Sequence, residues 1–138
     1  MNVEQRIRTL RTLWIAMFLS VGAYYVFTLL TGRPESVGPN PNLTLILVGV
    51  GLLTTAISFP IKSKFLARAV DLQQPQLLQQ GYILTWAVTE IAALLGLLDF
   101  FLTDHRHYFI LFVISALGQL LHFPRREHVT NAAFNSTF

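Results

Sequence analysis

The chain has 138 residues, of which 53% are hydrophobic and only 12% charged, with a net charge of +3 and no cysteine. A soluble domain carries about 25% charged residues, so this composition and a mean hydropathy of +0.52 exclude an ordinary soluble globule. The missing thiols exclude disulfides, thiolate metal sites and a cysteine nucleophile.

In chain order, the first apolar run is 12–31 and follows Arg6, Arg8 and Arg11. A secretory signal also places basic residues before an apolar stretch. This stretch continues to Leu30, longer than such a region, and reads as a retained span. The segment from Thr31 to Asn42 holds three prolines and two glycines and reads as an irregular turn. The second run, 43–61, is followed by Phe65, Leu66, Ala69, Val70 and Leu72 at helical spacings, which carries a helix past Pro60. The glutamine-rich stretch around Pro75 marks a turn before the third run, 82–103. The short link TDHRH makes the third run and the fourth, 108–124, antiparallel neighbours. The tail EHVTNAAFNSTF is expected to be poorly ordered. Its Asn135-Ser136-Thr137 fits a glycosylation sequon, which a cytoplasmic tail would not use.

About 20 helical residues cross a hydrocarbon core of about 30 Å, and all four runs are near that length. The basic residues divide unevenly. Arg6, Arg8, Arg11, Lys62, Lys64, Arg68, Arg125 and Arg126 fall on one side, and only Arg33 and Arg106 on the other. The positive-inside rule then places both termini in the cytoplasm. This accounts for the basic charge as a topology signal, so no nucleic-acid partner is expected. Trp14, Tyr82, Trp86 and Tyr108 sit near span ends, as aromatic belts do. The expectation is an all-α integral membrane protein and a single domain over 1–138. It has four transmembrane helices in two antiparallel hairpins, with both termini cytoplasmic in a bacterial inner membrane. Its partners are the lipid bilayer, and further copies of itself or other membrane subunits.

The second and fourth runs share a pattern. Ile46, Leu47, Leu53, Phe59 and Pro60 match Ile110, Leu111, Leu117, Phe123 and Pro124 at a constant offset of 64. Trp14 and Trp86 open the first and third runs, and Thr31 and Thr103 close them. Either a duplicated hairpin or chance matching between apolar runs produces this.

Glu90 lies inside the third run, about 12 Å from its start at 1.5 Å per residue. An ionised carboxylate in mid-membrane costs at least about 2.5–3.5 kcal/mol, so a neutral or partnered acid is expected. No Lys or Arg shares its depth. The candidate partners are neutral: Ser20, Thr54, Thr55, Ser115 and Gln119. Held by such groups, Glu90 is either a reversible proton-binding or ion-binding site or a hydrogen-bonded clamp between helices.

Thr85, Thr89, Ala92, Gly96 and Asp99 follow a 4, 3, 4, 3 spacing and share one helix face. Gly51, Thr55 and Ser58 form a similar stripe on the second run. Small faces let helices approach closely, so these two are expected to pack together. Asp99, near a span end, reads as interfacial, and Ser115, Gln119 and His122 read as a packing stripe or, less simply, the lining of a transport path. Asp104, His105 and His107 carry metal-ligand atoms without further ligands nearby, so no metal or other cofactor is expected. There is no G-x-x-x-x-G-K-[ST], no G-x-S-x-G and no pair of carboxylates at one depth, and nothing supports an enzyme.

Thr89, Glu90, Ala93, Gly96 and Leu97 stand at the spacings T-E-x-x-A-x-x-G-L. Before them, Gly49 and Gly51 precede a polar segment with Gln74 and Pro75. Over about residues 43–103 the chain therefore resembles the proteolipid c subunit of rotary ATP synthases and ATPases. That family joins a Gly-rich helix to an ion-binding helix through an R-Q-P-[ED] loop. Gln73 and Gln76 replace the charged residues of that loop, and the first and fourth runs lie outside the match. The resemblance implies that Glu90 is the ion-carrying carboxylate.

The topology has a direct test. Single cysteines at Ser36 and Ser63 should be labelled by an impermeant maleimide from opposite faces of a sealed vesicle. Labelling of both from one face would exclude the expected arrangement.

Overall fold

The computed structural model describes residues 2–32, 35, 38–104 and 106–133, and its regular elements are five helices. Helix α1 spans Val3–Thr31, α2 Pro41–Asp71, α3 Pro75–Leu102, α4 Phe109–Leu121 and α5 Arg126–Ala133. His105 and Asn135-Ser136-Thr137 lie outside the described residues.

Local chemistry sets most of the boundaries. Asn2 caps α1 in a reciprocal box: its side chain accepts the Gln5 N–H at 2.9 Å, and the Gln5 side chain accepts the Asn2 N–H at 3.2 Å. Asn40 caps α2 at the Leu43 N–H, and Pro41 occupies the first turn, where its missing donor costs nothing. Helix α2 runs unbroken through Pro60 to Asp71. It ends in a Schellman closure, with Gln74 N–H donating to Ala69 O at 3.0 Å and Gln73 N–H to Val70 O at 3.2 Å. Gln73 takes the left-handed position (φ 51°) that glycine usually fills. Pro75 then opens α3.

Three helices, α1, α2 and α3, are long and apolar enough to cross a membrane. Helix α2, with 31 residues, is about 46 Å long and exceeds the ~30 Å core. Helix α4 has only 13 residues, about 20 Å, against the 108–124 expected for a fourth span. Its truncation follows from Pro124, which has no N–H to continue the helix and biases Phe123 away from the helical region. The constant offset of 64 therefore joins unlike places, since Phe59-Pro60 is inside α2 and Phe123-Pro124 lies after the end of α4.

The tail corrects a second expectation. Residues 126–133 form α5. Val129 and Ala132, three residues apart, are fully buried in a cluster with Ile7, Leu10, Ala69, Leu78, Tyr82 and Trp86. Tertiary burial of that face, rather than propensity, orders so short a helix. Arg126 also pairs with Glu4. The start of α1, the α2–α3 turn and α5 thus meet at one end of the bundle, here called the terminal end.

Helix α3 is the hub and contacts every other helix, α2 most extensively. A second apolar cluster joins Val21, Ala93, Phe100, Tyr108 and Phe112. The outer surface is apolar, with Leu30 82% and Leu45 72% exposed, whereas Thr85, Thr89, Ser115, Gln119 and His122 are buried. This polar-inside arrangement suits a hydrocarbon solvent and identifies a helical membrane protein.

Small residues set the helix separations. A Cβ on Gly51 would stand 2.7 Å from Leu111 Cδ2 and 3.4 Å from Ala92 Cβ. One on Gly96 would meet Phe112 and Leu111 at 3.0 and 3.2 Å, so Gly96 faces α4 rather than α2. Gly118 lies against Thr55 of α2 and Thr89 of α3. Gly81 has its tightest neighbour in Phe65 Cβ, an atom fixed to the α2 backbone. Gly81→Ala should therefore lower stability by about 1–3 kcal/mol, as overpacking does. Gly49→Ala, with nothing within 4 Å, should be neutral or slightly stabilising. Thermal unfolding in detergent that shows equal losses at both positions would contradict the packing.

Candidate functional site

Glu90 lies near the middle of α3, half-buried on the side facing α1. Ser20 of α1 donates to Glu90 Oε1 at 2.6 Å and also reaches Met17 O at 2.7 Å. Tyr24, one turn further along α1, brings its hydroxyl beside both Glu90 and Ser20. No salt bridge to Glu90 occurs among the described residues. The acid therefore sits in a nest of hydroxyls without a counter-charge.

The other candidate partners go elsewhere. Thr54 donates to Gly51 O at 2.9 Å within its own helix. Thr55, Ser115 and Gln119 make no side-chain hydrogen bond to Glu90. They belong to a polar layer in the bundle centre, where Thr55 Oγ1, Ser115 Oγ, Gln119 Nε2 and Oε1, and His122 Nδ1 are buried without protein partners. Each such group costs about 1–3 kcal/mol when left unpaired. Thr85 and Thr89 satisfy themselves by donating to Gly81 O and Trp86 O. The remaining residues of the two stripes, Gly51, Ala92 and Gly96, supply close approach rather than polar contacts.

Two further polar arrangements flank this layer. Ser58 Oγ lies 2.7 Å from His122 Nε2 and donates to Thr55 O at 2.5 Å. With the serine proton so used, His122 Nε2–H is the donor to Ser58. At the other end, Asp99 is fully buried, and its Oδ1 accepts from Thr44 at 2.7 Å and Thr103 at 3.0 Å. Asp99 is thus part of the α2–α3 interface in the protein interior. Burial at position 99 follows from its place on the same face as Ala92 and Gly96.

Sequence reasoning missed Tyr24, although its i, i+4 relation to Ser20 is visible in the chain. It also missed the roles of the two indoles. Trp14 Nε1 donates to Gln119 O at 2.9 Å and Trp86 Nε1 to His122 O at 3.2 Å. Trp14 adds a second donor to Gln119 O, which also accepts the His122 N–H at 3.1 Å, and Trp86 supplies a donor to His122 O just past the end of α4. A groove of about 320 Å³ between α1 and α4 is lined by apolar residues such as Phe18, Val21, Phe109 and Phe112, with Tyr25 the one lining side chain that carries a polar atom.

The terminal end carries a second ionisable group. Tyr82 Oη lies 2.6 Å from His128 Nδ1 and accepts from the Arg125 N–H at 3.4 Å. Its own proton then goes to Nδ1, which must be unprotonated. Burial, first, and then the charges of Lys62 and Arg125 push His128 below its ordinary value of 6.5, with Glu127 opposing.

Comparison with protein-family models gave no match, and comparisons with curated proteins and with solved structures gave none either.

The docking of α5 should depend on pH. The folded state binds a proton at His128 less readily than the unfolded chain. The associated stability is complete above pH 6.5 and is lost as pH falls through the lowered folded value. Protection against hydrogen exchange in residues 126–133, relative to the intrinsic rate at each pH, should fall between pH 7 and pH 5, and His128→Gln should flatten that response. An unchanged profile in the variant would refute the assignment.

Proposed function

We propose that this is a small polytopic membrane protein in which Glu90 is a membrane-embedded protonatable carboxylate that binds or transfers a proton or ion. In this reading the α2–α3 hairpin is the c-subunit-like unit, with Gln74 and Pro75 at its turn. The chain works as an oligomer or with other membrane subunits. Residues 108–124 complete a fourth crossing around the short α4, with the basic terminal end in the cytoplasm of a bacterial cell.

The observation that carries the reading is the hydroxyl nest. Ser20 meets Glu90 at 2.6 Å, Tyr24 stands beside both, and no cation neutralises the acid. Serine and tyrosine hydroxyls both donate and accept, so they can serve the carboxylate and then reverse to accept from the acid. Such a site takes up and gives back a proton without moving a helix. Half-exposure on the surface of the bundle leaves Glu90 within reach of a neighbouring subunit. The second reading, a helix clamp in an accessory subunit, draws on the same bond, because Ser20–Glu90 ties α1 to α3.

Infrared spectroscopy separates the two. As a proton site, Glu90 gives a protonated-carboxyl C=O band that fades and returns on cycling pH between about 5 and 9. Glu90→Gln removes the band, while Asp99→Asn, at the other carboxyl inside the bundle, leaves it. As a clamp, the band stays fixed across that range, and Glu90→Ala lowers stability by about 1–2 kcal/mol while Glu90→Gln does not. A pH-reversible band that survives in Glu90→Gln would overturn the proton-site reading.

A further inference from the structure

At the terminal end, on elements separate from the Glu90 nest, α2, α4 and α5 enclose a notch of about 310 Å³. Its polar lining is Lys62 and Ser63 from α2, His122 at the end of α4, and Arg125 and His128 at the approach to α5 and within it. Neither Lys62 nor Arg125 has a carboxylate partner among the described residues. Lys62 Nζ instead rests over the Tyr82 ring at 5.0 Å, and the nearby Arg126 is taken by Glu4. The notch therefore gathers positive charge without an acid to balance it. The same imbalance shows in His128, which burial and then Lys62 and Arg125 hold towards its neutral form.

The remaining walls are apolar. Phe59, Leu66 and Leu121 also line the notch, and Phe59 and Leu121 are 43% and 65% exposed on the lipid-like outer surface. Cationic groups at the end of apolar helices, continuous with apolar surface, match a molecule with an anionic head and hydrocarbon chains. Basic pockets between transmembrane helices bind such head groups.

We propose that this notch binds the phosphate of an anionic phospholipid. Lys62 and Arg125 supply the charge and Ser63 a hydroxyl donor. His128, with Nδ1 accepting from Tyr82, carries its proton on Nε2 and offers a further donor. Phe59 and Leu121 lie beside the acyl chains. A bound phosphate diester would add a second polar link between α2 and the α4–α5 corner, beside the Ser58–His122 hydrogen bond.

The full-length protein in neutral detergent is the material for the test. Binding of phosphatidylglycerol, phosphatidylcholine and inorganic phosphate is measured by native mass spectrometry and by the shift in melting temperature. Phosphatidylglycerol should bind at least about tenfold more tightly than phosphatidylcholine. Lys62→Gln and Arg125→Gln should each weaken it about fivefold, Lys62→Arg should restore it, and Arg8→Gln, exposed on α1, should leave it unchanged. The melting temperature without lipid reports folding, and the Lys62→Arg rescue separates lost charge from lost structure. Equal binding of the two lipids, or undiminished phosphatidylglycerol binding in both glutamine variants, would overturn the site. Displacement of the lipid by inorganic phosphate at matching concentration would overturn the lipid assignment in favour of a soluble phosphate.

Discussion

The constraint on which the structure depends is that the backbone polar groups of this protein must be satisfied by the protein itself. Outward-facing leucines and phenylalanines show that the medium around the helices is hydrocarbon, where an unpaired backbone group costs several kcal/mol. Long helices meet most of that demand through their own hydrogen bonds. The demand becomes acute where a helix ends early. Helix α4 stops at Leu121 after only 13 residues. Two indole N–H groups from α1 and α3 donate to carbonyls there. The bundle is in this sense gathered around the early end of α4, where Trp86 supplies the donor to His122 O.

The same medium explains why the interior is polar. Between two apolar clusters lies a layer of threonine, serine, glutamine and histidine, closely packed because Gly51, Gly96 and Gly118 leave no side chain between the helices. In water such a layer would waste the hydrophobic effect. In lipid there is little hydrophobic force between helices to waste, and association rests on close packing and internal hydrogen bonds. Glu90 stands apart from this layer. Its partners are on α1, whose apolar window is the least buried of the three long helices, so the acid is on the more open seam of the bundle.

The apolar runs were legible in the sequence because composition and period are local properties. The hairpin turn at Gln73–Pro75 was equally legible, since proline and a break in apolar periodicity act where they stand. The reach of α2 past Pro60 followed from Phe65, Leu66 and Ala69. The end of α4 was harder, because an apolar run and a helix are different things. Phe123 continues the run, while Pro124 stops the helix. Helix α5 was not legible from its polar composition, because its order comes from contacts of Val129 and Ala132 with residues more than 100 positions away, Ile7 and Leu10 among them. Ser20 could be named as a partner of Glu90 from depth alone. Which of five neutral groups at similar depth would meet the acid depended on helix rotation, which apolar surroundings on every side leave open. Asp99 stands on the face that its spacing with Ala92 and Gly96 predicts, but its partners Thr44 and Thr103 were not legible for the same reason.

The closure of the terminal end bears on how the chain is made. Its first helix begins at Val3 and its last ends at Ala133, and each supplies part of the other's cover. During synthesis, then, the start of α1 leaves the ribosome with Ile7 and Leu10 lacking their final neighbours, and they stay so until α5 has been made. The apolar middle of α1 can enter the bilayer early, but its polar-flanked beginning must wait at the membrane surface. Completion of this end of the fold is thereby coupled to the synthesis of α5: a chain released short of Val129 would hold an open seam, a state that quality-control machinery recognises by its uncovered apolar residues.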